Sequence, residues 1–278
     1  MITDLLLEKY KTLKGQNNSE AFKTRSVRDL LVTELTENFW MIITCDSDGG
    51  IGPKNHDAVF SPAYDLGRLA ARVPIMEMLA SGALPVLVVD TLCVEMDPVG
   101  KEIIRGVRDE VSEAGLNGDL VVTGSTEDNV ITYQTGIGVV AVGFVEKKDF
   151  RPGRSLKDDL VVCLGVPKSA PEYKVHYADS EIANTKLIKQ LNLFEFIHDI
   201  LPVGSKGISH EFRELAKSAG LSPFYYDGIT LDVTKSGGPS TCCIISLPKN
   251  KLDLLKSKIN KPVTVIGELR KRLNDRNT

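Results

Sequence analysis

Seven consecutive residues, Phe39-Trp40-Met41-Ile42-Ile43-Thr44-Cys45, are apolar, aromatic or β-branched, and they stop abruptly at Asp46-Ser47-Asp48-Gly49-Gly50. A run this short suits a buried strand better than a helix, and an Asp/Gly cluster behind it is a turn signal. The pattern predicts a strand entering a glycine-rich acidic loop. The next segments add helices to cover such a strand. Tyr64–Gly82 reads as a long helix with small and apolar residues on one face, stopped by Gly82. Val86–Val89 reads as a buried strand, and Lys101–Ala114 as an amphipathic helix ending at Gly115.

The remaining segments continue the alternation. Helices are predicted over 2–14 and 25–36, and strands over 120–122 and 137–145. Arg151-Pro152-Gly153-Arg154 resets the pattern and divides the chain into domains of residues 1–149 and 150–278. Beyond it come a strand at 160–164, helices at 179–190 and 193–199, a loop at 202–207 and a helix at 209–218. A strand at 241–247, a helix at 249–258 and a strand at 263–266 complete the reading. The predicted class is α/β (α+β) in two domains.

Composition removes several functions. With 42% hydrophobic and 26% charged residues, the 278-residue chain is neither disordered nor fibrous. No apolar run approaches the roughly 18 residues a membrane span needs. The N-terminal stretch MITDLLLEKYKTLKG carries acids and lacks a small-residue cleavage site, so a cytoplasmic protein with no membrane partner is expected. Five scattered cysteines without a CxxC pair predict reduced thiols. Residues 1–150 hold 14 Lys/Arg against 23 Asp/Glu, net −9, and residues 151–278 hold 20 against 14, net +6. An acidic half argues against nucleic acid as a partner and suits a divalent cation.

The phosphate loop GxxxxGK[ST], the dinucleotide motif GxGxxG, HExxH and GxSxG are all missing. Three stretches instead place carboxylates at a strand end or on a helix. These are Asp46 to Gly52, Glu77 with Asp90, and Gly124-Ser125-Thr126-Glu127-Asp128. Mg²⁺ takes oxygen ligands, often one or two carboxylates plus substrate phosphates. Glycines beside those carboxylates let backbone N–H groups approach phosphate oxygens.

The run Met76-Glu77-Met78-Leu79-Ala80-Ser81-Gly82-Ala83-Leu84-Pro85, followed by Val86–Asp90, resembles the aminoimidazole ribonucleotide synthetase (PurM-like) superfamily. Cys45-Asp46, Thr123-Gly124-Ser125-Thr126, Arg151-Pro152-Gly153 and Ser236-Gly237-Gly238-Pro239 match further superfamily motifs in order, so the resemblance covers roughly residues 25–270. Within it, the strings Cys45–Gly52, Thr123–Asn129 and Leu201–Ile208 look most like the α-ribazole kinases of cobalamin nucleotide-loop salvage.

The resemblance implies an N-terminal domain that pairs with its copy into a dimeric β-barrel, a C-terminal α/β domain beside it, and ATP with Mg²⁺ near the cleft. Asp46, Glu77, Glu127 and Asp128 would hold the metal. Ser125 stands where the loop commonly has Asp, so Glu127 or Asp128 is expected to supply that charge. Asp46, Gly49, Gly50, Gly124, Ser125, Thr126 and Lys206 would bind the nucleotide. Asp48 or His56 would orient the hydroxyl of a nucleoside-like small-molecule substrate. Ligase or cyclase chemistry, thiamine-monophosphate kinase activity and ATP binding without turnover stay open beside kinase action.

Overall fold

The computed structural model describes residues 2–16 and 21–272. A helix α1 (Ile2–Gln16) precedes a hairpin of β1 (Lys23–Val27) and β2 (Leu30–Glu34). Then come β3 (Phe39–Gly49), the short parallel pair β4 (Ile51–Gly52) and β5 (Val59–Phe60), and α2 (Ala63–Ala80). β6 (Leu84–Leu92), α3 (Lys101–Glu113), α4 (Gly118–Val121), β7 (Val122–Ser125) and β8 (Gly136–Glu146) follow. These strands form a six-stranded sheet in the order β1-β2-β3-β8-β6-β7, antiparallel except for β6 and β7.

The chain then crosses, through Arg151–Arg154, to a five-stranded antiparallel sheet. It uses β9 (Leu160–Gly165), α5 (Thr185–Asn192), β10 (Asp199–Pro202), α6 (Gly207–Ser218), β11 (Leu221–Tyr225), β12 (Cys242–Leu247), α7 (Leu252–Lys258) and β13 (Val263–Lys271), with strand order β10-β12-β9-β13-β11. β9 and β12 are apolar without alternation because both faces are covered. Leu160, Val162 and Leu164 join the core shared with α2 and α5, while Val161 and Cys163 face α6.

The core is organised around α2. Fifteen of its 18 residues are buried, so it touches protein on every side. It packs on β3 and β8 of the first sheet, on α3 and α5, and on β10 of the second. Small residues let α3 approach closely. A Cβ on Gly67 would lie 2.1 Å from the Ile103 carbonyl oxygen, and one on Gly106 would lie 2.2 Å from that of Tyr64. Thr44 on β3 donates its hydroxyl to the Pro74 carbonyl at 2.8 Å, tying sheet to helix.

Several sequence expectations change. Residues 25–36 form a hairpin rather than a helix. Leu30 and Val32 point to the core while Leu31 points out, which is the period of a strand. The predicted strand at 120–122 is the short helix α4 running into β7. Residues 193–199 turn into β10 instead of forming a helix, and the helix placed at 179–190 starts later, capped by the Asn184 side chain. β11 was not anticipated; Pro223 fits it because β11 is an edge strand. Each sheet is open, and no closed barrel is found among the described residues.

Two buried ionic knots join the sheets. At the β1–β2 turn, Arg28 donates to both Asp199 carboxylate oxygens at 3.0 and 2.5 Å, and the Gly153 N–H also donates to Asp199 at 2.9 Å. Glu110 on α3 accepts from Arg68 at 2.8 Å, Arg72 at 3.1 Å and Thr185 at 2.6 Å. Removing one partner of such a pair leaves an uncompensated buried charge. Asp199→Ala should therefore lower unfolding stability by about 3–5 kcal/mol, read as a fall in the urea midpoint.

Candidate functional site

A cleft of about 890 Å³ opens between the two sheets. Its floor is one stripe of α2, namely Asp65, Leu66, Leu69, Val73 and Glu77, the i, i+4, i+8 spacing of a helix face. Its N-terminal wall carries Asp29, Asp46 and Asp48. Its C-terminal wall carries Lys174, Lys206, His210 and Glu211, with Ser205, Ser236 and Ser240.

The acids come together because β3 is longer than the sequence suggests. Asp46 and Asp48 belong to the strand itself, on the face that Trp40, Ile42 and Thr44 turn towards α2. The expected loop begins only at Gly50. Burial raises the Asp46 carboxyl, and burial with the neighbouring Asp46 charge raises Asp48 to about 6. Glu77 stands highest. Burial, then the charges of Asp29, Asp46 and Glu211, push it to about 9, and its Oε2 is buried without a hydrogen-bond partner. Glu211 rises to about 7 through burial and then Asp29.

Four carboxyls held above their ordinary range line one cleft, an arrangement that a cation would relieve. Their oxygen donors fit Mg²⁺, and the unpartnered Glu77 oxygen is free to ligate. Among the described residues no three His, Cys, Asp or Glu side chains are gathered closely enough to hold a metal alone. A cation here would need phosphate oxygens or water to complete its shell, the usual manner of Mg²⁺.

The other anticipated residues divide. Lys206 lies in the cleft, immediately before α6. Gly49 and Gly50 end β3 outside it, and the Gly50 N–H donates to the Thr135 carbonyl at 2.9 Å. His56 is exposed and sits beside the Tyr133 ring, 5.5 Å between centroids, away from the cleft. The stretch 124–128 is also outside. Asp128 accepts from the Met96 N–H and the Thr126 hydroxyl, and Glu127 from the Asn129 and Val130 N–H groups, so both shape their own loop. Ser125 pairs with Thr91 as β7.

Gly124 has a different task. A Cβ there would lie 1.9 Å from Oδ1 of Asp90. Asp90 is buried, raised to about 6 chiefly by desolvation, and its Oδ2 has no partner. Asp46 and Asp90 flank Val139 in one cross-strand row, roughly 10 Å apart by strand spacing.

Sequence reasoning missed Asp29, Asp65 and Glu211, together with the strap of residues 169–176 that supplies Tyr173, Lys174 and His176. The strap is clasped to α2. His176 Nε2 lies 3.3 Å from Asp65, Arg72 donates to the Tyr177 carbonyl at 2.9 Å, and Arg68 stacks 4.7 Å from the Tyr177 ring centre. Asp65, Arg68 and Arg72 follow helical spacing, which was the available signal.

Residues 28–145 match the family described as AIR synthase related protein, N-terminal domain. The chain is 26% identical over 174 residues to selenide, water dikinase of Caldanaerobacter subterraneus subsp. tengcongensis, covering 56% of this chain and 49% of that protein. It thus spans about half the length of this curated relative. Thiamine-monophosphate kinase from Stenotrophomonas maltophilia has a similar fold, with a TM-score of 0.60 at 14% identity over 96% of this chain and 94% of that one. T. maritima PurL complexed with ATP gives 0.62 at 14% identity over 96% of this chain and 48% of that one. The mixed α/β fold is shared with these two proteins.

Glu77 yields a test of the site's electrostatics. Its folded pKa, about 9, lies above the ordinary 4.5, so the native state holds a proton that the unfolded state has lost across that interval. Its contribution is unfavourable above the lower value and grows as pH rises to the upper one. Glu77→Gln should stabilise the protein at pH 8 in metal-free buffer, and should flatten the fall in melting temperature between pH 5 and 9. A wild-type curve that rises across that range would remove Glu77 from the strained cluster.

Proposed function

We propose that the protein is an ATP-dependent small-molecule kinase whose acceptor is α-ribazole, phosphorylated on its 5'-hydroxyl, with residues 1–149 and 150–278 acting as two domains around the nucleotide. The observation that carries the reading is the cleft, where an acidic wall on the first sheet faces a wall of lysine and serine side chains on the second. That pairing suits a triphosphate held between a cation and hydrogen-bond donors. The likeness to an ATP-bound PurL and to a thiamine-monophosphate kinase supports ATP as the donor.

Phosphoryl transfer asks the protein mainly to position groups and neutralise charge. Asp46 and Glu77 would hold Mg²⁺, which when bound neutralises charge on the phosphate oxygens. Lys206 and the Ser205 and Ser236 hydroxyls would contact the phosphates from the other side. The acceptor oxygen forms its bond to the γ-phosphorus as the bond to the β–γ bridging oxygen breaks and ADP leaves. Asp48 accepts the hydroxyl proton, since it lines the cleft and His56 does not. Asp46→Asn should weaken Mg-ATP binding at least tenfold in calorimetry while leaving the melting temperature unchanged or raised. In a parallel assay with ATP and Mg²⁺, α-ribazole should be consumed in preference to thiamine monophosphate and formylglycinamidine ribonucleotide. Turnover of a phosphorylated compound with none of α-ribazole would replace the acceptor by that of the kinase or ligase relatives, and ATP binding without any turnover would make the protein a regulator.

We also propose a homodimer joined through the first sheet. Its outer face is apolar in register: Leu31, Ile43, Val142 and Leu87 form one cross-strand row, and Met41, Phe144 and Leu84 the next. Leu84 is 69% exposed and Leu31 40%. An open apolar face of this breadth is a pairing surface, and two such faces would make the shared barrel. Light scattering at micromolar concentration should give twice the chain mass, and Leu87→Lys should halve it.

A further inference from the structure

Between its acidic inner end at Glu77 and its rim at Asp65, the α2 stripe offers the cleft only apolar side chains: Leu66, Leu69 and Val73. Leu66 to Val73 spans about 10 Å of helix. The adjoining wall is also apolar, formed by Ile51 on β4 and by Val59 and Phe60 on β5. Phe60 is 67% exposed, although it lines a cleft whose floor is buried. Tyr173, from the strap on the other side, is 38% exposed and has Lys235 Nζ 3.9 Å from its ring centre.

An aromatic ring left this open at the edge of an apolar slot has a face to give to a ligand, and stacking on another π-system is what that face favours. The slot also has an address. Ile51 follows Asp48 by three residues, so the apolar wall continues directly from the strand that presents the proton acceptor. Ser205 and Lys206, which would face the phosphates, stand across the cleft in the loop between β10 and α6. A ring lying here adjoins the place where the acceptor hydroxyl would meet Asp48.

We infer that this slot is the acceptor's base subsite, that Phe60 is its specificity-determining residue, and that it takes a flat, uncharged aromatic ring system. The inference rests on the reading of the cleft as a phosphoryl-transfer site.

Calorimetry with dimethylbenzimidazole alone, and separately with the ATP analogue AMPPCP, tests the subsite without turnover. The native protein should bind the free base saturably. Phe60→Ala should weaken that binding on the order of tenfold, Phe60→Trp should retain it, and AMPPCP affinity should be the same in all three proteins. Phe60 is exposed, so folding is not at stake, and the melting temperature serves as the control. Loss of AMPPCP affinity in Phe60→Ala would assign the ring to the nucleotide and overturn the inference. Absence of base binding, or binding indifferent to Phe60, would overturn it equally. If the base binds through Phe60 and no aromatic nucleoside is phosphorylated, the subsite stands and the kinase reading falls. If a nucleoside is phosphorylated with unchanged KM in Phe60→Ala, the kinase reading stands and the subsite falls.

Discussion

Everything in this molecule is arranged around a helix that is buried over nearly its whole length and meets open space only along the floor of the cleft. α2 is held between the first sheet, α3, α5 and an edge strand of the second sheet. A helix in that position must be apolar nearly all round, and its polar residues need partners. Arg68 and Arg72 find theirs in Glu110, whose carboxyl burial alone would raise but which Arg72, Thr185 and Arg68 together hold below its ordinary value. Glu77 finds none. The same helix thus contains buried arginines paired with a carboxylate and, further along, a carboxyl without a partner that opens into a cleft. The first fixes how α2, α3 and α5 meet. The second is a cost that the fold bears at the place where a ligand would remove it.

That contrast gives physical content to separating scaffold from site. Arg28–Asp199 and Glu110 with its two arginines pair each buried carboxylate with arginine, the first from the β1–β2 turn to β10 and the second among α2, α3 and α5. The cleft acids are neither matched nor complete. Their pKa values rise first through desolvation, to which neighbouring like charges add for Asp48, Glu77 and Glu211, and such perturbation marks functional positions more often than structural ones. Asp90 belongs to the same class by burial. It lies outside the cleft with Gly124 pressed over its carboxylate, so its role lies with the sheet edge and not with the acidic wall.

The elements that could be read from the sequence were those whose period is strong. The cores of β3, β8, β9 and β12, together with α2, α3 and α6, lie where apolar spacing put them. Residues 25–36 failed because RSVRDLLVTELT suits both periods, and only pairing with β3 decides for the hairpin. That error hid Asp29, which reaches the cleft because a turn, not a helix, carries it. Asp46, Asp48, Glu77 and Lys206 were legible as chemistry, since each stands beside a clear structural boundary. Glu127 and Asp128 had the same appearance in one dimension. They differ only in what lies nearby: the N–H groups of Met96, Asn129 and Val130 take up their oxygens. Glu211 and the strap were invisible for the opposite reason, since nothing near them in sequence announces a site.

The strap ties the two halves together at the mouth of the cleft. Its inner end is fixed by Arg72 through a backbone carbonyl and by Arg68 through a ring face, contacts that draw on arginines already anchored to Glu110. Its outer contact, His176 with Asp65, is half open to solvent and is made to the rim residue of the floor stripe. Ala178 N–H donates to His176 Nδ1 at 3.1 Å, which orients the ring with Nε2 toward Asp65. On its other side the strap is held by Lys235, which pairs with Glu172 at 2.6 Å and lies 3.9 Å from the Tyr173 ring centre, so Lys174 reaches the cleft from a segment tied both to the α2 arginines and to the loop before β12.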